Sequence, residues 1–188
     1  MRKTVFLIAA CALMALCGCI PLSLAPFYTE KDLVYEPALI GFWVSGDDGG
    51  GSVSFEQSGA NGYLMIMKDS TGEVSFDVRL FRIGGKLFMD LCPQSLAELN
   101  RLAEMDAIPG HSLVRVDRIE PTLVTSDLED DWMKAKMKED PKALAHVVTD
   151  DRLVLTATTE ENQAFIVKHM NDEGAFDDPE EMRRTDKR

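Results

Sequence analysis

The chain has 188 residues, with 32 acidic side chains against 20 basic ones and a formal net charge of −12. That balance excludes nucleic acid as a partner, because displacing counterions from a phosphate backbone needs clustered Lys and Arg. No internal repeat or low-complexity tract interrupts the chain, and its length suits one domain with a sizeable core.

Arg2 and Lys3 precede an unbroken apolar run from Val5 to Leu16, and Gly18 supplies the small residue that a signal peptidase needs before its cut. The run is too short to span a bilayer, which takes about 20 apolar residues, so residues 1–18 read as a cleaved secretory signal. Leu16-Cys17-Gly18-Cys19 resembles the lipobox of bacterial lipoproteins. The resemblance implies that Leu16, Cys17 and Gly18 form the signal-peptidase site, and that Cys19 carries a diacylglycerol and becomes the first mature residue. Cys11 offers another frame after Ile8-Ala9-Ala10, but a cut there leaves too short an apolar run. Two or three acyl chains, at roughly 0.8 kcal/mol per buried CH₂, hold a protein stably on a membrane. Loss of Arg2 and Lys3 with the signal takes the net charge from −12 to −14, which would repel an anionic surface and leave the lipid alone to hold the chain. Ile20 stands where, in Gram-negative lipoproteins, an Asp favours the inner membrane, so the expected address in such a host is the outer membrane, facing the periplasm. Of the four cysteines, Cys92 alone then remains. It excludes an internal disulfide and reads as a buried structural thiol at the end of an apolar strand.

Residues 19–27, with Pro21 and Pro26, read as a short extended tether below the anchor, and Pro37 suits the first position of a helical turn. Leu39 to Val44 is the first strand, followed by the Gly46–Gly51 break. Ser52 to Glu56 alternates as a half-buried antiparallel strand, Tyr63 to Met67 returns, and Val74, Phe76, Val78 and Leu80 share one face of the next. The phase breaks at Phe81, which predicts a bulge or a change of surroundings. Gly84-Gly85 makes a two-residue hairpin into Leu87–Leu91. Pro93 stops the sheet, and Ser95 with Glu98 caps a short helix carrying Leu99 and Leu102. Strands follow at Leu113–Ile119 and Thr122–Ser126.

A second helix is expected from about Asp127 to Glu139, acids first and lysines last, with Trp132, Met133 and Met137 as its apolar stripe. Ala145–Val148 and Arg152–Ala157 read as strands. Thr158 with Glu161 caps a third helix, whose Phe165, Ile166 and Met170 face inward and whose end Gly174 marks. The chain therefore divides into a signal (1–18), a tether (19–27), one domain (28–176) and a charged, mobile tail (177–188). The fold class is mainly β with inserted helices, an antiparallel meander of about eight to ten strands closing as a barrel.

Gly41-Phe42-Trp43 at the start of that meander resembles the Gly-x-Trp signature of lipocalins and related calycin barrels. The resemblance implies that Gly41 and Trp43 close the barrel base beneath an arginine from the last strand, a place for Arg183 or Arg184. More broadly, Tyr28–Leu33 through Trp43, Ile108–Leu113 and Arg152–Ala157 look like a group of uncharacterised bacterial lipoproteins, which implies an anchor and carries over no catalytic residue.

Catalytic signals are weak throughout. His111, His146 and His169 lie in separate segments without the spacing that puts two zinc ligands on one helix face. His111 is placed to brace a loop and His169 to pack a helix. Asp47-Asp48 and Asp150-Asp151 read as turn acids, and neither an acyl-transfer elbow nor a phosphate loop occurs. The expectation is a non-enzymatic envelope lipoprotein without metal or cofactor beyond the acyl lipid on Cys19, binding a small apolar ligand or a protein. A filled barrel, with Phe55, Met65 and Phe76 packed inside, points instead to an interaction protein of an envelope complex. An envelope hydrolase requires acids or His111 to converge in one cleft.

Overall fold

The alternation that starts at Ser52 folds into a run of hairpins. A computed structural model describes residues 20–46, 51–68, 72–94, 110–149 and 152–186. The short strand β1 (Leu22–Ser23) and 3-10 turns at Glu30–Asp32 and Pro37–Leu39 lead into β2 (Gly41–Ser45), β3 (Gly51–Ser58), β4 (Gly62–Lys68) and β5 (Glu73–Ile83). Next come β6 (Lys86–Pro93), β7 (Ser112–Arg118), β8 (Thr122–Asp127) and helix α1 (Asp130–Glu139). The chain finishes with β9 (His146–Thr149), β10 (Arg152–Leu155), helix α2 (Thr159–His169) and β11 (Glu180–Thr185). Strands β2 to β8 pair in sequence order, and β11 lies antiparallel between β8 and β2, closing an eight-stranded antiparallel barrel. Strands β1, β10 and β9 form a separate three-stranded sheet. The signal, the lipobox with Cys19, the helix expected from Ser95 and the acid pairs Asp47-Asp48 and Asp150-Asp151 lie outside the described residues.

Local chemistry explains the punctuation. Gly84 and Gly85 have φ of 53° and 78°, the left-handed pair that a tight hairpin between β5 and β6 demands. The capping box at Thr158 and Glu161 forms as expected, each side chain satisfying the other's backbone N–H. Helix α1 starts at Asp130, three residues later than expected, because Asp127 is still paired in β8, opposite Val114.

Two hydrophobic cores share the barrel wall. Inside the barrel, Trp43, Phe55, Tyr63, Met65, Leu80 and Met89 pack together. Outside it, Phe81, Phe88 and Leu113 meet Met133 and Met137 of α1, Phe165 and Ile166 of α2, and Leu153 and Leu155 of β10. Strands β5 to β7 are therefore buried on both faces. The apparent phase break at Phe81 is not a bulge: pairing of β5 with β6 runs without interruption from Phe76 to Ile83. Leu80 points into the barrel and Phe81 into the outer core, a change of surroundings alone. Among the described residues, the pairing of β7 with β8 shifts register between Val116 and Arg118.

Both edges of the expected domain need correction. Residues 20–27 of the expected tether are built into the body, with Ser23 fully buried and Phe27 1% exposed. Ser23 exchanges both backbone hydrogen bonds with His111, at 2.9 and 2.8 Å, and the Phe27 N–H donates to Asp90 Oδ2 at 2.8 Å. Short polar and proline residues dock there because the body supplies partners for their backbone groups. The expected mobile tail instead contributes β11, the barrel's closing strand. Its single apolar residue, Met182, is 8% exposed; paired backbone on both sides, rather than apolar content, holds the other five residues in place.

Candidate binding site

The two ends of the barrel differ. At one end the lead-in to β2 closes the base. Trp43 is fully buried, and its Nε1–H donates to the Leu39 carbonyl at 3.0 Å. The Arg184 guanidinium lies 4.6 Å from the Trp43 ring and donates to the carbonyls of Ile40, at 3.0 Å, and Ala38. Gly41 has φ of +142°, and a Cβ there would stand 3.1 Å from Arg184 Nη1, so only glycine lets the arginine reach the tryptophan without strain. Tyr63 stacks on Tyr35 at 5.3 Å and accepts the Glu36 N–H at 2.7 Å. Burial pushes its phenol up to about 12, so it stays a neutral hydroxyl. Of the two arginines suggested by sequence, Arg184 covers the tryptophan, while Arg183 donates to the Gly46 carbonyl at 3.0 Å.

Replacing Arg184 with alanine is expected to lower the stability of the barrel by about 1–2 kcal/mol, from one cation–π contact and two carbonyl hydrogen bonds. Arg184→Lys should recover only part of this, since an ammonium lacks the planar fork. Urea midpoints of the three proteins check the order.

The opposite end is open. A cavity of about 90 Å³ lies there, with Met65, Met67, Met89 and Met182 in its wall and Asp127 and Glu180 at its rim. Alternation along β8 puts Asp127 on the lumen side, in phase with Leu123 and Thr125. Its carboxyl is pushed up to about 6, first by burial and then by the nearby charges of Asp177 and Glu180. Nothing in the composition around Asp127 flags it. The period-two pattern Leu123, Thr125, Asp127 is the signal that marks it, and the acid run that opens α1 immediately afterwards obscures it.

Usual small-molecule sites measure about 300–1,000 Å³. Phe55, Met65 and Phe76 do turn into the barrel, where Phe55 and Met65 are buried, and together with Trp43 and Tyr63 they leave room for a short apolar group only.

The other sequence candidates lie elsewhere. His111 is on the barrel's outer face, its Nδ1 2.6 Å from Oδ1 of Asp90, which is 1% exposed. The second oxygen of that carboxylate is occupied by the Phe27 N–H, so the pair clamps the N-terminal segment, the bracing role expected of His111. Burial and the negative charges of Asp90 and Asp77 push the half-buried Cys92 thiol up, away from thiolate reactivity. His169 packs against the rings of Trp132 and Phe165 and pairs with Asp172 at 2.9 Å. His146 Nδ1 lies 2.9 Å from the Leu144 carbonyl. Among the described residues, no group of three or more His, Cys, Asp or Glu converges as a metal site, and no helix is long and apolar enough to cross a membrane.

A closed eight-stranded antiparallel barrel with few helices, whose base is plugged by a tryptophan under an arginine, is consistent with a lipocalin-like fold. Comparison of the chain with protein-family models, curated proteins and solved structures returned no match.

Proposed function

We propose that the protein is a lipid-anchored, non-enzymatic interaction protein of the bacterial cell envelope, working by surface contact rather than by carrying a ligand in its lumen. The observation that carries this reading is the packed barrel: a residual cavity of about 90 Å³ is several-fold smaller than the roughly 300 Å³ at which ordinary ligand sites begin. The anchor rests on the Leu16-Cys17-Gly18-Cys19 sequence and on its resemblance to a lipobox. The occupied Asp90–His111 pair and the raised Cys92 thiol support a non-enzymatic role. A second reading, that the open end grips a short apolar group, is favoured by the methionine wall, since thioether side chains repack readily around irregular occupants.

Mass spectrometry of full-length protein recovered from membranes tests both. The denatured spectrum is expected to show a mature N-terminus at Cys19 bearing diacylglycerol, with Cys19→Ser left as uncleaved precursor. The native spectrum is expected to show no retained small molecule. An unmodified N-terminus at any other residue overturns the anchor, and a stoichiometric non-covalent ligand overturns the packed-barrel reading in favour of the second.

A further inference from the structure

We infer that the open end of the barrel rests on the bilayer surface, so that the membrane itself covers the cavity mouth. The inference builds on the anchor at Cys19 proposed above and adds a direction to it.

The path of the first described residues provides that direction. A flexible tether would let the domain present any face to the membrane, but the segment from Pro21 onward has no such freedom. Pro21 and Ser23 are buried. Ser23 is paired with His111 through the backbone, and its Oγ accepts from Asn162 Nδ2 at 3.0 Å. The Leu24 N–H donates to the Leu155 carbonyl at 3.0 Å, and the Pro26 carbonyl accepts from Thr159 Oγ1 at 2.8 Å. These bonds come from the barrel wall, β10 and α2 together, so residues 21–26 move as part of the body.

The segment also has a definite position along the barrel. Residues Gly110 and His111 immediately precede β7, which starts at the open end and runs toward the base. Leu22 packs on Gly110 so closely that a Cβ added there would stand 3.2 Å from Leu22 Cβ. The bridge of Ser23 to His111 is antiparallel, so residues 22–24 run up toward the mouth, and beyond Leu24 the chain turns and descends the outside of the barrel. Phe27 reaches Asp90, Leu33 bridges to Phe81, and Leu39 arrives under the base beside Trp43. Ile20 lies two residues before Leu22, hence within about 7 Å of it and nearer the open end than the base, and Cys19 immediately precedes it in the chain. With so little chain between Leu22 and the anchor, a bilayer that takes up the acyl chains meets the open end before it can reach the base.

The rim fits such a surface. Leu24, 46% exposed, follows Ser23, which pairs with His111 just before β7, and Val74, 39% exposed, stands at the start of β5 in phase with Phe76 and Val78. Apolar side chains standing open at the end where a lipid anchor emerges gain area by entering the interfacial zone. Lys68 and Glu180 line this mouth, and Glu73 stands opposite Lys68 where β4 and β5 end there. A zwitterionic surface therefore suits this end of an acidic chain better than an anionic one.

The test uses the full acylated chain in phosphatidylcholine vesicles, with Cys92→Ala so that a spin label can be placed at Val74→Cys, at the mouth, or at Glu120→Cys, at the base. The label at position 74 is expected to meet membrane-soluble oxygen, relative to an aqueous nickel chelate, several-fold more often than the label at 120. Hydrogen exchange on the unsubstituted chain guards against a variant that misfolds: amides at Ser52, Met67 and Ser75 should slow on vesicle binding, while those at Gly85 and Thr122 should not. Failure to co-sediment with vesicles overturns the anchor. Co-sedimentation with equal or reversed accessibility, or with slowing at the base, leaves the anchor standing and overturns the orientation.

Discussion

A chain ending at Asp177 is expected to lose the barrel altogether. Removing β11 strips the ladder partners from four residues of β2 and four of β8, at about 0.5–1.5 kcal/mol for each hydrogen bond lost. It also removes Met182 from the inner core, worth about 2–5 kcal/mol for a buried methionine, and takes the Arg184 cover off Trp43. Together these losses match or exceed the roughly 5–15 kcal/mol that holds an ordinary domain folded. The exposed β2 and β8 edges would then template association between chains. Near-ultraviolet circular dichroism should show no fixed environment for Trp43, and thermal unfolding should lose its cooperative transition. The single substitution Met182→Ala, which leaves the ladder intact, should keep that transition at a midpoint lower by about 2 kcal/mol of stability. A truncated chain melting like the full one would mean that β11 is peripheral to the barrel.

That strand also marks where sequence reasoning ran short. Period-two alternation exposed β3 and β5 because Val53 and Phe55, or Val78 and Leu80, carry the burial themselves. Glu180-Glu181-Met182-Arg183-Arg184-Thr185 has the same period, but Glu180 lies at the open mouth and Arg184 across the base, so the lumen side holds one apolar residue only. Burial cannot announce a strand whose inward positions reach water at both ends. Residues 20–27 were hidden for the complementary reason. Their order comes from carbonyls and a carboxylate on distant elements, Asp90, His111 and Leu155, which no local pattern records. The second core blurred β5, since a strand buried on both faces loses its alternation. What was legible rested on short-range chemistry, the Gly84-Gly85 turn and the Thr158 cap, and on the resemblance of Gly41-Phe42-Trp43 to the lipocalin signature, which implied an arginine over the tryptophan.

Replacing Asp127 with asparagine is expected to stabilise the protein above neutral pH and to flatten its acid profile. The Asp127 carboxyl is pushed up to about 6 in the fold, against about 3.9 for an unperturbed aspartate. Below about pH 4 it is protonated in both the folded and the unfolded chain and contributes no difference. Between about pH 4 and pH 6 the unfolded chain ionises first, so stability falls as pH rises; above pH 6 both states are ionised and the penalty is complete and constant. Two pKa units correspond to about 3 kcal/mol. Because Asp127 stands at a rim that water reaches, about 2 kcal/mol is the appropriate expectation. The amide keeps the shape of the side chain without its charge, and the hydrogen bond from the Asp177 N–H to the Asp127 carbonyl belongs to the backbone and survives. Urea midpoints measured from about pH 4 to pH 8 should therefore coincide for the two proteins at the acid end, diverge through the interval, and run parallel above pH 6 with the asparagine variant higher. Parallel curves over the whole range would show that Asp127 ionises as freely in the fold as outside it, and that the negative charges of Asp177 and Glu180 do not reach it.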